Sequence, residues 1–112
     1  MKVRVTDEFF GGGRQGEMDI SYSELVAVLG WPRSNGDGYK VDAEWTLKFA
    51  DGAFATIYNY KTGPNYNGGV GTVEEIRDWH IGGRGSYAAI LVKQIFYGVV
   101  HEVSGQNFLA KN

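Results

Sequence analysis

Two histidines, His80 and His101, are the side chains best suited to acid/base chemistry in this chain of 112 residues, which contains no cysteine. A nucleophilic site would need one of them to contact both a serine and an acid, and neither lies in a recognisable nucleophile motif. On a strand, Asp78 and His80 would point the same way and suit an acid/base pair or a metal site, but the pattern supplies no third ligand. We therefore expect no catalytic residue, no metal and no cofactor, and a small hydrolase that uses His80 is the least favoured hypothesis.

The Gly-rich segment 82–86 is a candidate anion site. It matches neither the P-loop pattern nor the dinucleotide-binding fingerprint. If Ser86 caps a helix, the free backbone N–H groups of the first turn and the Arg84 guanidinium would converge on one point, which is how proteins hold a phosphate. The alternative is a plain turn between a strand and a helix.

The richest set of surface-forming side chains combines flat rings with amide and cationic groups. Such a set can stack on bases or anchor a protein interface. Its members are Tyr58, Tyr60, Lys61, Asn65, Tyr66, Asn67, Trp79 and His80. For Tyr66 and Trp79 a place in the core is an equal alternative, whereas Trp31, Trp45 and Phe54 are expected in the core.

Composition narrows the class of partner. The 11 basic and 13 acidic residues are spread along the chain, which argues against an extended nucleic-acid-binding surface. The N-terminal residues contain no apolar run of the kind that a signal peptide or membrane span requires, and the lack of cysteine fits a reducing compartment. We expect one cytoplasmic domain spanning residues 1–112, with no membrane partner, and we leave open that it forms a homo-oligomer.

A central hairpin at about 43–60 is the clearest structural signal. Trp45, Leu47 and Phe49 alternate with polar residues, and Asp51-Gly52 is the dipeptide that a two-residue type I′ turn favours. Such a turn would gather most large side chains on one face, in the pairs Phe49 with Phe54, Leu47 with Thr56, and Trp45 with Tyr58. The opposite face, expected to meet solvent or a partner, would carry Glu44, Thr46, Lys48, Ala55, Ile57 and Asn59.

Two main helices are predicted, at about 22–29 and 86–100. Ser21 and Glu24 have the spacing of a capping box before the first helix. The second would start at a cap, Ser86, and bury the apolar face formed by Ala88, Leu91, Val92, Ile95 and Val99. His101 is placed at the end of this helix, where its charge would complement the helix dipole.

Shorter elements complete the prediction. Residues 2–5 favour a short edge strand, 78–81 favour another strand, and Thr72 with Glu75 favours a single helical turn. Residues 61–71 are too rich in Gly, Asn and Pro for regular structure, and the tail after Ser104 is either frayed or an added strand. The order of elements predicts an α+β domain, a small antiparallel sheet around the hairpin with both helices packed on one face.

Several of these segments resemble a group of small uncharacterised bacteriophage proteins. The likeness lies in Glu44-Trp45-Thr46-Leu47-Lys48-Phe49, in Asp51-Gly52, in Ala55-Thr56-Ile57-Tyr58-Asn59-Tyr60-Lys61 and in Trp79-His80-Ile81-Gly82-Gly83. The first predicted helix, with Gly30-Trp31-Pro32 after it, is similar to the segment that precedes their hairpin. The Gly-rich N-terminus and the tail after Val103 lie outside the match. The group implies no activity, so no functional residue is carried over from it.

The resemblance implies a context rather than a mechanism, because small accessory phage proteins often block or divert host machinery, including CRISPR and nucleotide-signalling defences. We expect a non-catalytic protein that acts by binding in the host cytoplasm. The first hypothesis is an anti-defence inhibitor of a host protein, for example an anti-CRISPR. The alternative is a nucleotide-binding or nucleotide-sequestering module that holds phosphate near Arg84 and Ser86 while Tyr66 or Trp79 stacks on a base.

Overall fold

The computed structural model describes residues 1–8, 10–33, 37–98 and 101–109. Its strands are β1 (Lys2–Thr6), β2 (Gly13–Asp19), β3 (Glu44–Phe49), β4 (Phe54–Tyr58), β5 (Asp78–Gly83) and β6 (Glu102–Ser104). Its helices are α1 (Tyr22–Leu29) and α2 (Ser86–Phe96), with one 3-10 turn at Val73–Glu75. The predicted first helix and the predicted turn after Thr72 are confirmed. No helix within these ranges is long and apolar enough to cross a bilayer.

The described strands form one sheet in the order β2-β5-β4-β3-β1-β6. Neighbouring strands are antiparallel except β1 and β6, which run parallel. The α+β class is confirmed, because α2 packs against β2, β4 and β5 while α1 lies on the same covered face. Since β1 pairs with a strand on each side, its prediction as an edge strand is wrong.

The two edge strands, β2 and β6, were not predicted. β2 has the sequence GRQGEMD, in which only Met18 is buried, so it lacks the alternation of apolar and polar residues that marks a strand. Its pairing with β5 also shifts register between Arg14 and Gly16. β6 has only three residues and pairs with β1 at the other end of the chain, a contact that local sequence patterns do not reveal.

The β3–β4 hairpin forms as predicted, but its turn and register differ. The N–H of Phe49 donates to the carbonyl of Ala53 (2.8 Å), so three residues rather than two form the turn. Gly52 adopts a φ of 90°, the left-handed conformation that closes a three-residue hairpin loop. The observed pairs are Lys48 with Phe54, Leu47 with Ala55, Trp45 with Ile57, and Glu44 with Tyr58. The predicted two-residue turn and its register are therefore wrong.

This shift of one residue exchanges the two faces of β4, because successive side chains of a strand point to opposite faces. Ala55, Ile57 and Asn59, predicted on the polar face, are buried in the core. We name the face of the sheet away from the helices the open face. It carries Phe54, Thr56 and Tyr58, which were predicted to lie on the face with the large side chains. Phe54 is buried there by the ring of Phe10, whose centroid lies 4.5 Å from its own.

Two tryptophans hold α1 on the sheet. Trp45 on β3 and Trp79 on β5 are fully buried, and their rings meet edge to face with centroids 5.5 Å apart. The indole N–H of Trp45 donates to the carbonyl of Gly30 after α1 (2.9 Å), and that of Trp79 donates to the carbonyl of Ile20 before it (3.0 Å). Tyr22 at the start of α1 packs against both indoles. Both ends of α1 are therefore fixed to the sheet.

Helix α2 is shorter than predicted. It begins at Ser86, but Gly85 is the N-cap residue and no side chain caps the helix, so the predicted Ser86 cap is wrong. The helix ends at Phe96, whereas the prediction extended it to residue 100. Val99 and Val100, the last residues of the predicted helix, lie outside the described residues. Of the predicted apolar face, Ala88, Leu91 and Val92 are buried and Ile95 is partly buried, while Ala89 is buried without having been predicted.

His101 does not interact with the end of α2 as predicted. Its Nδ1 lies 3.1 Å from the carbonyl oxygen of Met1. Its ring packs edge to face against Phe49, with centroids 6.5 Å apart. The side chain therefore packs at the start of β1 rather than over a helix terminus.

Ile57→Ala and Thr56→Ala distinguish the observed register from the predicted one. Ile57→Ala removes a fully buried side chain and should lower the free energy of unfolding by about 2–5 kcal/mol. Thr56→Ala alters the open face and should change the free energy of unfolding by no more than about 0.5 kcal/mol. Urea unfolding followed by tryptophan fluorescence measures both values. A larger loss for Thr56→Ala than for Ile57→Ala would contradict the observed register.

Candidate functional site

Two loops beside the hairpin, 37–43 and 59–71, carry a continuous group of exposed rings and ammonium groups. We name it the tyrosine–lysine surface, and its members are Tyr39, Lys40, Tyr60, Lys61 and Tyr66. The rings of Tyr39 and Tyr66 lie 5.5 Å apart, centroid to centroid. Lys40 Nζ lies 5.7 Å from the Tyr39 ring and 5.9 Å from the Tyr60 ring. Lys61 Nζ lies 5.3 Å from the Tyr60 ring and 5.5 Å from the Tyr66 ring, so each lysine bridges two rings.

His80 extends this surface onto the open face of the sheet. Its imidazole centroid lies 5.9 Å from that of Tyr60 and 5.5 Å from that of Tyr58. Burial lowers the pKa of His80 below its ordinary 6.5, the positive charge of Arg14 lowers this pKa further, and Asp78 opposes the shift. The imidazole is therefore mainly neutral at pH 7 and offers one donor and one acceptor. Within the described ranges, no cluster of three or more His, Asp or Glu side chains is placed to hold a metal ion.

A buried polar pair joins the two loops. Asn59 is fully buried, and its Oδ1 accepts hydrogen bonds from the backbone N–H groups of Asp42 (2.8 Å) and Ala43 (3.2 Å). Its Nδ2 donates to Asp42 Oδ1 (2.9 Å), and Asp42 Oδ2 accepts from the N–H of Asn65 (2.9 Å). We name these contacts the Asn59–Asp42 clamp. Because a buried amide is stable only when it is hydrogen-bonded, the clamp fixes the positions of both loops.

Further contacts order the backbone beneath the rings. The N–H of Lys61 donates to the carbonyl of Lys40 (2.8 Å). Asp37 Oδ1 accepts from the N–H groups of Tyr39, Lys40 and Val41 at 2.7–3.0 Å. These bonds, above all the one from Val41, lower the pKa of the Asp37 carboxyl. The loop that carries Tyr39 is therefore held both by the carboxylate of Asp37 and by the hydrogen bond from Lys61 of the neighbouring loop.

The structure brings together some of the predicted site residues and separates the others. Tyr58, Tyr60, Lys61, Tyr66 and His80 form one series of ring and cation contacts. Asn65 and Asn67 lie in the same loop, but their amides donate to the carbonyls of Val41 (3.1 Å) and Gly63 (3.0 Å). They therefore hold the loop rather than present free amides. Trp79 lies in the core and is removed from any exposed surface.

Tyr39 and Lys40 belong to the tyrosine–lysine surface but were missed by the sequence analysis. They lie at the end of a segment whose Gly, Asn and Asp residues indicate only a turn. A signal was present, because Tyr39-Lys40 repeats the Tyr60-Lys61 dipeptide. The adjacency of the two dipeptides depends on the Asn59–Asp42 clamp, which the sequence pattern does not show.

Arg84 and Ser86 lie at the start of α2, away from these rings. The Arg84 guanidinium lies 5.6 Å from the centroid of Phe54, and it lines a shallow cleft of 310 Å³. Tyr87 lines the same cleft and donates to the Asp51 carboxylate (3.0 Å), a negative charge that disfavours phosphate nearby. The nucleotide hypothesis keeps Arg84 and Ser86 as neighbours, but Trp79 is buried and Tyr66 contacts Tyr39 and Lys61, so neither predicted stacking ring lies beside them.

A second feature is a cleft on the open face, between the sheet and segment 10–13. Its volume is 260 Å³, and an adjoining cleft of 390 Å³ shares Phe10, Glu44 and Thr56 with it. We name the two together the Glu44 cleft. Gly82 lines the first part, where a Cβ atom would collide with the Thr56 hydroxyl. The absence of a side chain at Gly82 therefore helps to keep the cleft open.

Glu44 is partly buried and lines both parts of the cleft. Burial raises the pKa of its carboxyl above the ordinary 4.5, and the negative charge of Asp37 raises it further. In the part of the chain that the structure describes, this carboxylate forms neither an ion pair nor a hydrogen bond. The cleft therefore contains a partly desolvated negative charge without a counter-ion from those residues.

No protein-family model, no curated protein and no solved structure matches this chain. The resemblance to small phage proteins therefore stays a hypothesis. The function has to be argued from the geometry and chemistry of the two features above.

Asn59→Ala should destabilise the protein and loosen both loops. It removes the hydrogen bonds to Asp42 and leaves the N–H groups of Asp42 and Ala43 unpaired, which should cost at least about 2 kcal/mol of unfolding free energy. Hydrogen exchange should accelerate in residues 37–43 and 61–70. Asn67→Ala, which loses one hydrogen bond to Gly63, is the matched control and should cost about 1 kcal/mol or less. Unchanged exchange in Asn59→Ala would show that the clamp does not order the loops.

Glu44→Gln should stabilise the protein at neutral pH. Because burial raises the folded-state pKa of Glu44 above its unfolded value, the ionised carboxyl disfavours folding at pH 7. This penalty disappears as the pH falls below the ordinary value of 4.5, where the carboxyl is protonated in both states. Thermal melts should therefore show a higher Tm for the variant at pH 7 and equal Tm values at low pH. Glu102→Gln, at an exposed site, is the control, and a lower Tm for Glu44→Gln at pH 7 would reveal a stabilising partner of the carboxylate.

Proposed function

We propose that this chain is a non-catalytic binding protein that holds a host protein through the tyrosine–lysine surface and blocks or diverts it, as an anti-defence inhibitor does. The observation that carries the binding role is the continuous contact of Tyr39, Tyr60 and Tyr66 with the two lysines between them. Tyrosine is enriched among the residues that dominate interface energies, because its ring buries a large area while its hydroxyl keeps a hydrogen bond.

The tyrosine–lysine surface is exposed and already ordered, and both properties favour binding. The three tyrosines, Tyr39, Tyr60 and Tyr66, expose 56%, 38% and 39% of their surface, so a partner has apolar area to cover. Their loops are already joined by the Asn59–Asp42 clamp. Association costs entropy whenever side chains and loops must become ordered. A surface whose loops are already ordered therefore loses less conformational entropy when a partner binds.

The charges of the surface indicate the chemistry of the partner. Among the described residues, neither Lys40 nor Lys61 forms an ion pair. The nearby carboxylates of Asp37 and Asp42 are engaged by backbone N–H groups. Both ammonium groups are therefore free to pair with carboxylates of a partner, although the ionised Asp37 and Asp42 lie nearby. We propose a host partner with acidic side chains, since complementary charge directs association.

The two parts of the proposal have different support. Binding rests on the rings and lysines described above. Inhibition of a host defence rests on the resemblance of the hairpin and the Trp79-His80 segment to small phage proteins. The nucleotide-binding alternative rests on Arg84 beside Ser86 at the start of α2.

The double variant Tyr60→Ala/Tyr66→Ala tests the binding surface. Tagged native protein should retain a stoichiometric protein from a bacterial host lysate, and the variant should lose it, because removal of an anchoring ring costs about 2 kcal/mol or more. Tyr87→Ala/Tyr97→Ala is the matched control, since both rings are exposed and lie outside the tyrosine–lysine surface. Calorimetry with the recovered partner then measures the change in Kd.

Retention of the partner by the Tyr60→Ala/Tyr66→Ala variant would show that the interface lies outside the tyrosine–lysine surface. If the native protein retains no partner, thermal shift with mono- and cyclic nucleotides tests the alternative. A nucleotide at 100 times its Kd should stabilise the native protein by about 2.7 kcal/mol. Such a shift, lost in an Arg84→Ala variant, would replace protein binding by nucleotide binding.

A further inference from the structure

The Glu44 cleft is lined by carboxylates, whereas the charged groups that contact the rings of the tyrosine–lysine surface are lysines. Three carboxylates line its larger part, and two of them already have counter-ions. The pairs are Asp7 with Arg33 at 3.6 Å, Glu8 with Arg4 at 3.3 Å and Glu8 with Lys48 at 3.6 Å. Glu44 has no such partner within the described ranges. Among the carboxylates of the cleft, Glu44 is therefore the one whose charge the described residues do not pair.

The rings around the cleft suit a cation as well. Two rings of the open face already have cations of the chain over them, with Lys48 Nζ 5.8 Å from the centroid of Phe10 and the Arg84 guanidinium 5.6 Å from that of Phe54. Tyr58 is a third ring that lines the cleft. An aromatic face attracts a cation through the negative charge above the ring. Glu44 and the ring of Tyr58 thus offer two attractive contacts to one positive group.

The hydroxyls of the cleft narrow the choice of cation. Thr46 and Thr56 line it together with Glu44, and in the described part of the chain their hydroxyls make no side-chain hydrogen bond. A guanidinium is planar, stacks on rings, bonds a carboxylate with two parallel N–H groups and has further N–H groups for hydroxyl oxygens. A compact ammonium would use fewer of these acceptors.

We propose that the Glu44 cleft binds a guanidinium group, carried either by a small molecule or by an arginine side chain of another protein, with Glu44 as its counter-ion. Its two parts measure 260 Å³ and 390 Å³, at the low end of the roughly 300–1,000 Å³ of sites for drug-sized ligands, so a group of the size of a guanidinium and its stem fits. Gly82 provides part of this space. The raised pKa of the Glu44 carboxyl agrees with a site that a cation would neutralise.

This site is separate from the proposed function. It uses Glu44, Thr46, Thr56 and Tyr58, and none of these belongs to the tyrosine–lysine surface. The Tyr60→Ala/Tyr66→Ala variant should therefore bind a guanidinium probe as the native protein does. Failure of the protein-binding proposal and failure of the guanidinium site can be distinguished in this way.

Titration with L-arginine amide, followed by the backbone amide signals of the ¹⁵N-labelled protein, tests the proposal. Saturable shifts are expected at Glu44, Thr56 and Gly82. L-citrulline amide, which has nearly the same shape without the charge, should bind at least about tenfold more weakly, as expected for a hydrogen bond that loses its charge. Glu44→Gln should weaken binding of L-arginine amide by a similar factor. Its amide spectrum shows directly whether the variant is folded.

Glu102→Gln is the matched control, because it removes the same charge at an exposed site that lines neither part of the cleft and leaves Glu44 in place. It should change the affinity by no more than a few-fold, as expected for a distant, exposed charge. A blocked Gly-Arg-Gly peptide separates the two sources: binding as tight as that of the amide indicates an arginine side chain of a protein, and weaker binding indicates a small molecule. The proposal is overturned if L-arginine amide gives no saturable shifts, if citrulline amide binds equally well, or if Glu44→Gln binds as the native chain does.

Discussion

The indole hydrogen bonds of Trp45 and Trp79 to the two ends of α1 are the contacts on which the rest of the structure depends. A buried indole N–H must find an acceptor, and these two find carbonyls just before and just after the helix. Because the acceptors belong to the chain that enters and leaves α1, the helix can lie on the sheet in one position only. This position directs the apolar side chains of α1 and β3 to the same covered face.

The two helices cover one face of the sheet. The open face is covered only by short segments and carries polar side chains. Segment 10–13 covers part of it, and the Phe10 ring buries Phe54 there. Between this segment and the sheet lies the Glu44 cleft, whose carboxylate is partly desolvated. Such a group costs stability, and side chains of this kind are frequent in binding sites because a ligand can supply the missing partner.

The two candidate binding regions lie next to each other. Tyr58 lines the Glu44 cleft and contacts His80, which contacts Tyr60 of the tyrosine–lysine surface. His80 is mainly neutral at pH 7, but the positive charge of Arg14 acts on both His80 and Tyr58. An arginine of the chain therefore lies near the junction between the two regions.

The sequence by itself determined the elements whose signals are local. The α1 boundaries follow from Ser21 and Glu24, the hairpin from the alternation before Asp51-Gly52, and the α+β class from their order. It also identified the rings of Tyr60 and Tyr66 as surface candidates. These features depend on residues within one turn or one strand of each other, so a pattern of neighbouring residues is sufficient.

Only the tertiary structure decided the features that depend on distant pairs. The three-residue turn reversed the faces of β4, since a shift by one residue changes the side to which every side chain points. β2 and β6 exist because β5 and β1 offer them hydrogen bonds, which their own sequences do not indicate. Trp79 is buried because Tyr22 and Trp45 pack against its ring and Ile20, just before α1, accepts its indole N–H, and Tyr39 joins Tyr66 because a buried Asn59 joins their loops. In each case the deciding partner lies far away in the sequence, and only folding brings it into contact.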